Sequence, residues 1–328
     1  MKQMLMGLTV AAGLMTAANA AVAQTEITYL FPAPDFLPAF APFHLALGKG
    51  YYEEEGVDVT FRVGQGGADV ATQVAVGNAD MGGGMGDTSM IVRPNGLEIR
   101  GVALMGGSGL THLAWRNDSG ITSAADLRDR SVGVITFQDT AYYNLLAVLA
   151  DEGMSRNDVD IQALGSGGLI QGMIAGTIDA MSGVPEWIVS IQDAGVDLTV
   201  IPARDYFPAQ AQAIIASDRI INENPDAVGG FVRATLRAVG DIMADPAVAA
   251  QEYVGFVDRH AEDLDQIERI MRFYVESVYA EAEGLPLGAF DPALLTQIQD
   301  FYVSNEIIRS AVPVDDLYTN QFIPEAAE

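Results

Sequence analysis

Apolar positions follow a short period over the first two-thirds of the chain and a helical period over the last third. Residues 26–31, 57–63, 99–105, 113–116, 132–135, 159–163, 198–201 and 213–216 are short runs rich in β-branched or apolar residues. Most are bounded by Gly, Pro, Asn or Asp, which predicts strands. Helices fill several gaps. One starts at Pro42, which suits a first turn, and runs to about Gly50. Another carries Tyr142, Leu145, Leu146 and Leu149 towards Gly153, and a third covers 187–194. Ser123 and Asp126 form a capping box for a short helix between them. Strands alternating with helices predict an α/β fold. Beyond Asn222 the period becomes three and four, as at Val228, Phe231, Val232, Thr235 and Val239. Residues 225–244, 247–258, 263–279 and 292–304 are predicted amphipathic helices.

One local pattern is written twice. Residues 64–89 read as a glycine turn, a helix ending at Gly77, a strand around Asp80-Met81 and a glycine loop from Gly82. Residues 165–183 repeat it: glycines 165, 167 and 168, an apolar helix, Gly176, then Asp179-Ala180-Met181 and a Ser182-Gly183 loop. Two copies predict two similar lobes, each offering helix N-termini and bare backbone N–H groups at one edge. The same glycines also serve tight turns and helix ends.

Residues 1–23 stand outside this pattern. Lys2 precedes a short apolar run, 4–15, and two small-x-small sites follow, Ala18-Asn19-Ala20 and Ala21-Val22-Ala23. This is the form of a cleaved secretory signal, too short for a membrane span. Cleavage near Ala20 or Ala23 would leave a soluble, exported protein. The sequence has no cysteine, hence no disulfide, thiolate metal site or lipid-attachment cysteine, which suits a bacterial periplasm. With 44 acidic and 17 basic residues, the net charge of −27 makes nucleic acid or an anionic membrane a poor partner.

Four segments carry a family resemblance: PFHLALGKGYYEEEGVDVTF from Pro42, VAVGNADMGGG from Val74, NDSGITSAADLRDRSVGV from Asn117 and AGTIDAMSGVPEW from Ala175. In order and spacing they resemble the signatures of periplasmic substrate-binding proteins of ABC importers. The branch is that for nitrate, sulfonate, taurine and thiamine-pyrimidine precursors, the NMT1/THI5-like group. Asp129-Arg130 stands where the family has Gly-Lys. The resemblance implies a type II two-lobed fold, each lobe a mixed sheet flanked by helices, with the ligand in the cleft. Residues 24–113 with 211–328 would form one lobe and 114–210 the other, with crossings near 114–116 and 206–210. The C-terminal helices are expected to pack on the first lobe and to carry no chemistry. His260, among acids in a turn, reads as a surface residue.

No catalytic set is visible. His44, His112 and His260 lack metal-ligand spacing, and there is no P-loop or Gly-x-Ser-x-Gly. No cofactor or metal is expected. Phe36, Phe40, Phe137, Tyr142, Trp187 and Phe207 fall at predicted strand ends or first helical turns, where they serve either the core or a cleft wall. The polar candidates are Gln65, Asp87, Thr88, Ser89, Gln138, Asp139, Thr140 and Glu186. Asp87 and Glu186 each open a helix after a glycine loop, where capping is the alternative to ligand contact. Many rings and carboxylates with almost no Lys or Arg favour a flat heteroaromatic, such as a thiamine-type pyrimidine, over nitrate or an alkanesulfonate. Helix N-termini keep an aromatic acid open. The expected partners are that ligand and ABC permease subunits, and the expected state is a monomer. A pyrimidine-synthase-like enzyme of the same fold, which the resemblance ties to an active-site histidine and iron, is the alternative from another class. A ligand-sensing role beside a membrane receptor is a third reading.

Overall fold

A computed structural model describes residues 24–137, 139–280, 282 and 284–324. The expected signal segment, 1–23, and Gln138 lie outside the described residues.

The first sheet is built from β1 (Thr25–Phe31), β2 (Val57–Val63), β3 (Met81–Met85), β4 (Ile99–Leu104) and a strand from much later in the chain, Gln212–Ser217. The second comprises β5 (His112–Arg116), β6 (Ser131–Val134), β7 (Asp160–Ala163), β8 (Ala180–Gly183) and β9 (Leu198–Pro202), so Gln212–Ser217 is β10. The sheet orders are β2-β1-β3-β10-β4 and β7-β6-β8-β5-β9. In the first sheet β1 pairs parallel with β2 and β3, and β10 runs antiparallel between β3 and β4. In the second, β6 pairs parallel with β7 and β8, and β5 runs antiparallel between β8 and β9. The sheets therefore share one topology, as the repeated sequence pattern predicts. In each, the antiparallel strand is the one delivered by a crossing from the other sheet. The fold is α/β, two lobes with a mixed sheet in each.

Helices cover the sheets. α1 (Ala41–Gly48), α2 (Tyr51–Glu54), α3 (Gly67–Ala75) and α4 (Thr88–Val92) belong to the first half of the chain. α5 (Thr140–Asp151), α6 (Gly165–Ala175) and α7 (Pro185–Asp193) follow in the second sheet's segment. α8 (Asp218–Glu223), α9 (Pro225–Ala244), α10 (Pro246–Phe256), α11 (Leu264–Tyr274) and α12 (Pro292–Ser304) complete the chain. Proline starts α7, α9, α10 and α12, where its missing N–H has no partner to lose. Tyr29, Phe43, Tyr52 and Phe231 form a buried aromatic core between β1 and α9, with Tyr29 and Phe231 stacked at 5.0 Å. No described helix is long and apolar enough to cross a membrane.

Four expectations need correction. The glycines after Met81 are strand, not loop: MGGGM forms β3, inside the sheet between β1 and β10. A Cβ on Gly82 would lie 2.3 Å from Val70 Cγ1 and 3.0 Å from the Leu30 carbonyl, so bareness serves close packing there. In the second copy, glycines 165, 167 and 168 are the first turn of α6 and not a turn before it. The first crossing lies at 105–111, because residues 112–115 are already paired on both edges and Arg116 is paired with β9. Finally, α11 ends at Tyr274 in a π-turn, Val275–Tyr279, and it packs on the second lobe as well. Arg269 on α11 pairs with Asp193 at 2.6 Å.

Candidate ligand cleft between the lobes

Strands that run parallel end at the same edge of a sheet, and the two such edges face each other across the crossings. After β1 the chain meets prolines 32, 34 and 38, which forbid a regular helix, so Leu37 and Phe40 sit on a loop and a short 3-10 turn. After β3, Met85 lies at the first edge, and Gln212 begins β10 beside it. From the second lobe, Ile135 and Asp139 follow β6, while Val184, Glu186 and Trp187 follow β8. These side chains, with Leu110 of the first crossing, enclose a cavity of about 50 Å³. It lies outside the carboxyl ends of the parallel strands, where open α/β sheets bind ligands.

The walls are mostly apolar, and no Lys, Arg or His is among the described lining residues. Two carboxyls enter the cavity. Asp139 caps α5 by accepting from the Ala141 N–H at 2.8 Å. Burial pushes it up to about 6, against the Ala141 hydrogen bond, and the Asp87 charge adds to the rise. Glu186, 2% exposed, is the second residue of α7. Burial pushes it up to about 7, although the Tyr274 hydroxyl and the Ala39 backbone pull it back. Tyr274 donates to Oε2 at 2.7 Å, and Oε1 has no partner among the described residues. Trp187 Nε1 and Gln212 Oε1 are likewise buried without partners among the described residues. An apolar box with an unpaired side-chain donor and unpaired side-chain acceptors suits a flat ligand with a polar edge, because each unpaired buried group is costly until something pairs it.

The cavity thus brings together Phe40, Asp139, Glu186 and Trp187 from the sequence candidates. The others lie elsewhere. Asp87, 2% exposed, sits behind the cavity, where Oδ2 accepts from Tyr302 at 2.6 Å and from Asn144 at 2.8 Å. Burial raises its pKa against those two hydrogen bonds. Thr88 is buried and accepts the Met85 N–H at 2.9 Å, and Ser89 is buried beside it in α4. Gln65 is exposed, with its backbone N–H on Asp69. Phe36 lies under the Arg259 guanidinium, 4.2 Å from the ring centre. Phe137 is 41% exposed and meets the buried Tyr142 edge to face at 5.2 Å. Phe207 is buried against Phe301. Thr140 opens α5, and its side chain, like Gln138, lies outside the described residues. His260 is not a free surface group: its Nε2 lies 2.8 Å from the Phe36 carbonyl, and its ring stacks on Tyr253.

Leu37, Met85, Leu110, Val184 and Gln212 line the cavity without a signal in the sequence that separates them from core residues. Tyr274 and Tyr302 are further omissions. Each occupies an apolar face of a C-terminal helix, yet each donates to a buried carboxyl at the same point of the two repeats, Glu186 after β8 and Asp87 after β3.

Comparison with known proteins agrees with this architecture. Riboflavin-binding protein RibY of Chloroflexus aurantiacus is 27% identical over 329 residues, covering 96% of this chain and 92% of the relative. A 4-amino-5-hydroxymethyl-2-methylpyrimidine phosphate synthase of Aspergillus parasiticus is 26% identical, over 66% of this chain and 67% of its own. The alkanesulfonate-binding protein SsuA of Xanthomonas axonopodis pv. citri, solved with MOPS, superposes with a TM-score of 0.70 at 17% identity, covering 91% of this chain and 98% of that one. The NMT1/THI5-like family model matches residues 37–249, well over half of the sequence, and the chain belongs to that family.

Proposed function

We propose that this protein is an exported solute-binding protein that captures a flat nitrogen heteroaromatic between its lobes and delivers it to an ABC importer. On this reading the first lobe is 24–104 with 212–328 and the second is 112–202, joined by the crossings at 105–111 and 203–211, and the protein works as a periplasmic monomer after losing residues 1–23. The observation that carries the reading is the cleft itself. Both sheet edges contribute to one apolar cavity holding Phe40, Trp187 and two carboxyls, with no cationic lining residue among those described. A small inorganic anion needs positive charge or many converging N–H groups. A ring with N–H donors needs what this cavity offers. The names of the two sequence relatives point the same way, since riboflavin and an aminopyrimidine are both nitrogen heteroaromatics.

The synthase name supports a second reading, an enzyme of the same fold. Catalysis by histidine is less well served here. His44 lies against the Asp35 carbonyl, His112 against that of Leu110 and His260 against that of Phe36, and none of them lines the cavity. Calorimetric titration with riboflavin, an aminopyrimidine, an aromatic carboxylate, taurine and nitrate decides between ligand classes. One of the first two is expected to bind in the micromolar range or tighter and to be recovered unchanged. Binding of taurine or nitrate with the heteroaromatics silent refutes the proposal, and chemically altered ligand would favour the enzyme.

A further inference from the structure

Glu186 lines the cavity with one carboxylate oxygen held by a phenol and the other buried without a partner among the described residues. The phenol comes from α11, which Arg269 and Gln266 tie to Asp193 at the far end of α7. The helix carrying the donor and the helix carrying the acceptor are thus fixed to each other at two points. We propose that Tyr274 is a positioning residue for Glu186: by donating to Oε2 it aims Oε1 at the ligand's polar edge, so that the cavity selects a flat ligand presenting an N–H donor over one presenting an oxyanion. This rests on the binding-protein reading.

The surroundings support the selection. The titratable groups facing Glu186 are Tyr274, Tyr279 of the π-turn, Tyr253 of α10, and Asp139 on the cavity wall. None of them is a cation, so an anionic ligand would meet these carboxyls with no Lys, Arg or His among the described lining residues to offset them. Trp187 Nε1 is a buried side-chain donor without a partner among the described residues, which calls for an acceptor on the same ligand, and Gln212 Oε1 supplies a second acceptor from the opposite lobe. Burial pushes Glu186 up to about 7. Above that pH the carboxylate accepts from a ligand N–H. Below it the acid carries a proton of its own, and the distinction between donor and acceptor edges weakens.

Benzamidine, benzamide and benzoate share one flat shape and differ at the edge, so they serve as probes. At pH 8 the wild type is expected to bind benzamidine at least about tenfold more tightly than benzoate, as a hydrogen bond to a charged group allows. The ratio should shrink at pH 6. Glu186→Gln should abolish the preference and its pH dependence. Tyr274→Phe keeps the ring and removes the donor, so the pH at which the preference appears should move upward. Glu186→Asp, which draws the carboxylate back from Tyr274, is the second variant and should lose the preference while keeping the charge. Carbon-13 NMR of the Glu186 carboxyl in ligand-free protein follows the same titration without any probe. Equal affinities at pH 8, a preference that survives Glu186→Gln, an unmoved profile in Tyr274→Phe, or silence of all three probes overturns the inference. Binding of riboflavin or a pyrimidine that ignores Glu186 and Tyr274 also overturns it, and leaves the capture reading standing.

Discussion

Glu186 and Asp139 make the folded protein hold protons that the unfolded chain would release. Glu186 rises from an ordinary 4.5 to about 7, and Asp139 from 3.8 to about 6, both through burial. Between the ordinary and the raised value the unfolded state ionises first, so it binds fewer protons than the native state. Stability therefore falls as pH rises through that window and levels off above about 7. For Glu186 the whole effect is on the order of 3 kcal/mol. Glu186→Gln removes the titration but keeps the shape and the contact with Tyr274. Relative to wild type, the variant is expected to gain about 2–3 kcal/mol between pH 5 and pH 8 in urea unfolding. A difference that stays constant across this range would mean the carboxylate is solvated in the native state. A ligand N–H bound at Oε1 would recover part of the cost at pH 8.

The elements built from the two repeats share a topology but use their glycines in opposite ways. In β3, Gly82 and Gly83 are bare because the neighbours leave no room: added Cβ atoms would lie 2.3 Å from Val70 and 2.8 Å from Pro32. In α6, Gly167 has nothing within 4 Å of a built Cβ and sits in ordinary helix. Gly82→Ala should therefore destabilise by about 1–3 kcal/mol through overpacking, whereas Gly167→Ala should stabilise by about 0.4–1 kcal/mol through the unfolded chain. Chemical denaturation of both variants checks the pair, and a loss in Gly167→Ala would show that the helix needs that glycine. The contrast explains what could be read in advance. The order of strands and helices was legible because hydrophobic period is local, and α9 and α12 begin and end at the residues their prolines and apolar spacing predict. The glycine run in β3 was not, since glycine marks a turn in sequence and a close approach only once Val70 and Pro32 are in place. Phe40, Asp139, Glu186 and Trp187 were recognisable as candidates because strand ends in an α/β fold define an edge. Tyr274 and Tyr302 could not be recognised, because a tyrosine on an apolar helix face looks like core until the carboxyl it meets is known.

At the scale of the whole molecule, the two lobes are connected by more than the crossings. Segments 105–111 and 203–211 run side by side, with the Leu110 N–H donating to the Gln210 carbonyl at 3.1 Å and Gly109 packed on Ala209. The first is also fixed to the π-turn, since the Gly107 N–H donates to the Ala280 carbonyl at 2.8 Å. A hinge of this kind can bend only where other contacts between the lobes release. Such contacts include Tyr274 with Glu186 and Arg269 with Asp193 between α11 and α7, and, at the other repeat, Asp87 with Asn144. Asp87 follows β3 of the first sheet, and Asn144 lies on α5 beside the second. Asn144 is further engaged by Thr111 at 2.9 Å and Tyr302 at 2.9 Å, so one buried side chain joins both lobes, a crossing and α12. The cavity, at about 50 Å³, holds a few waters and no ring, so a ring-sized ligand enters only when the lobes part. Parting them breaks the bond between Asn144 and Asp87 and remakes it on closure, which biases the empty protein towards the closed form. Asn144→Leu keeps the bulk and removes the bond, a loss of about 1–3 kcal/mol from the closed state. The ligand-free variant is expected to show a larger radius of gyration than wild type by small-angle scattering. At saturation with whichever heteroaromatic binds, the two should coincide. Affinity should fall by roughly the population of closed form that is lost, with little change in the contacts to the ring. If scattering from the ligand-free variant matches wild type and affinity is unchanged, the network is core packing, and closure is governed by the crossings and the contacts of α11 with α7.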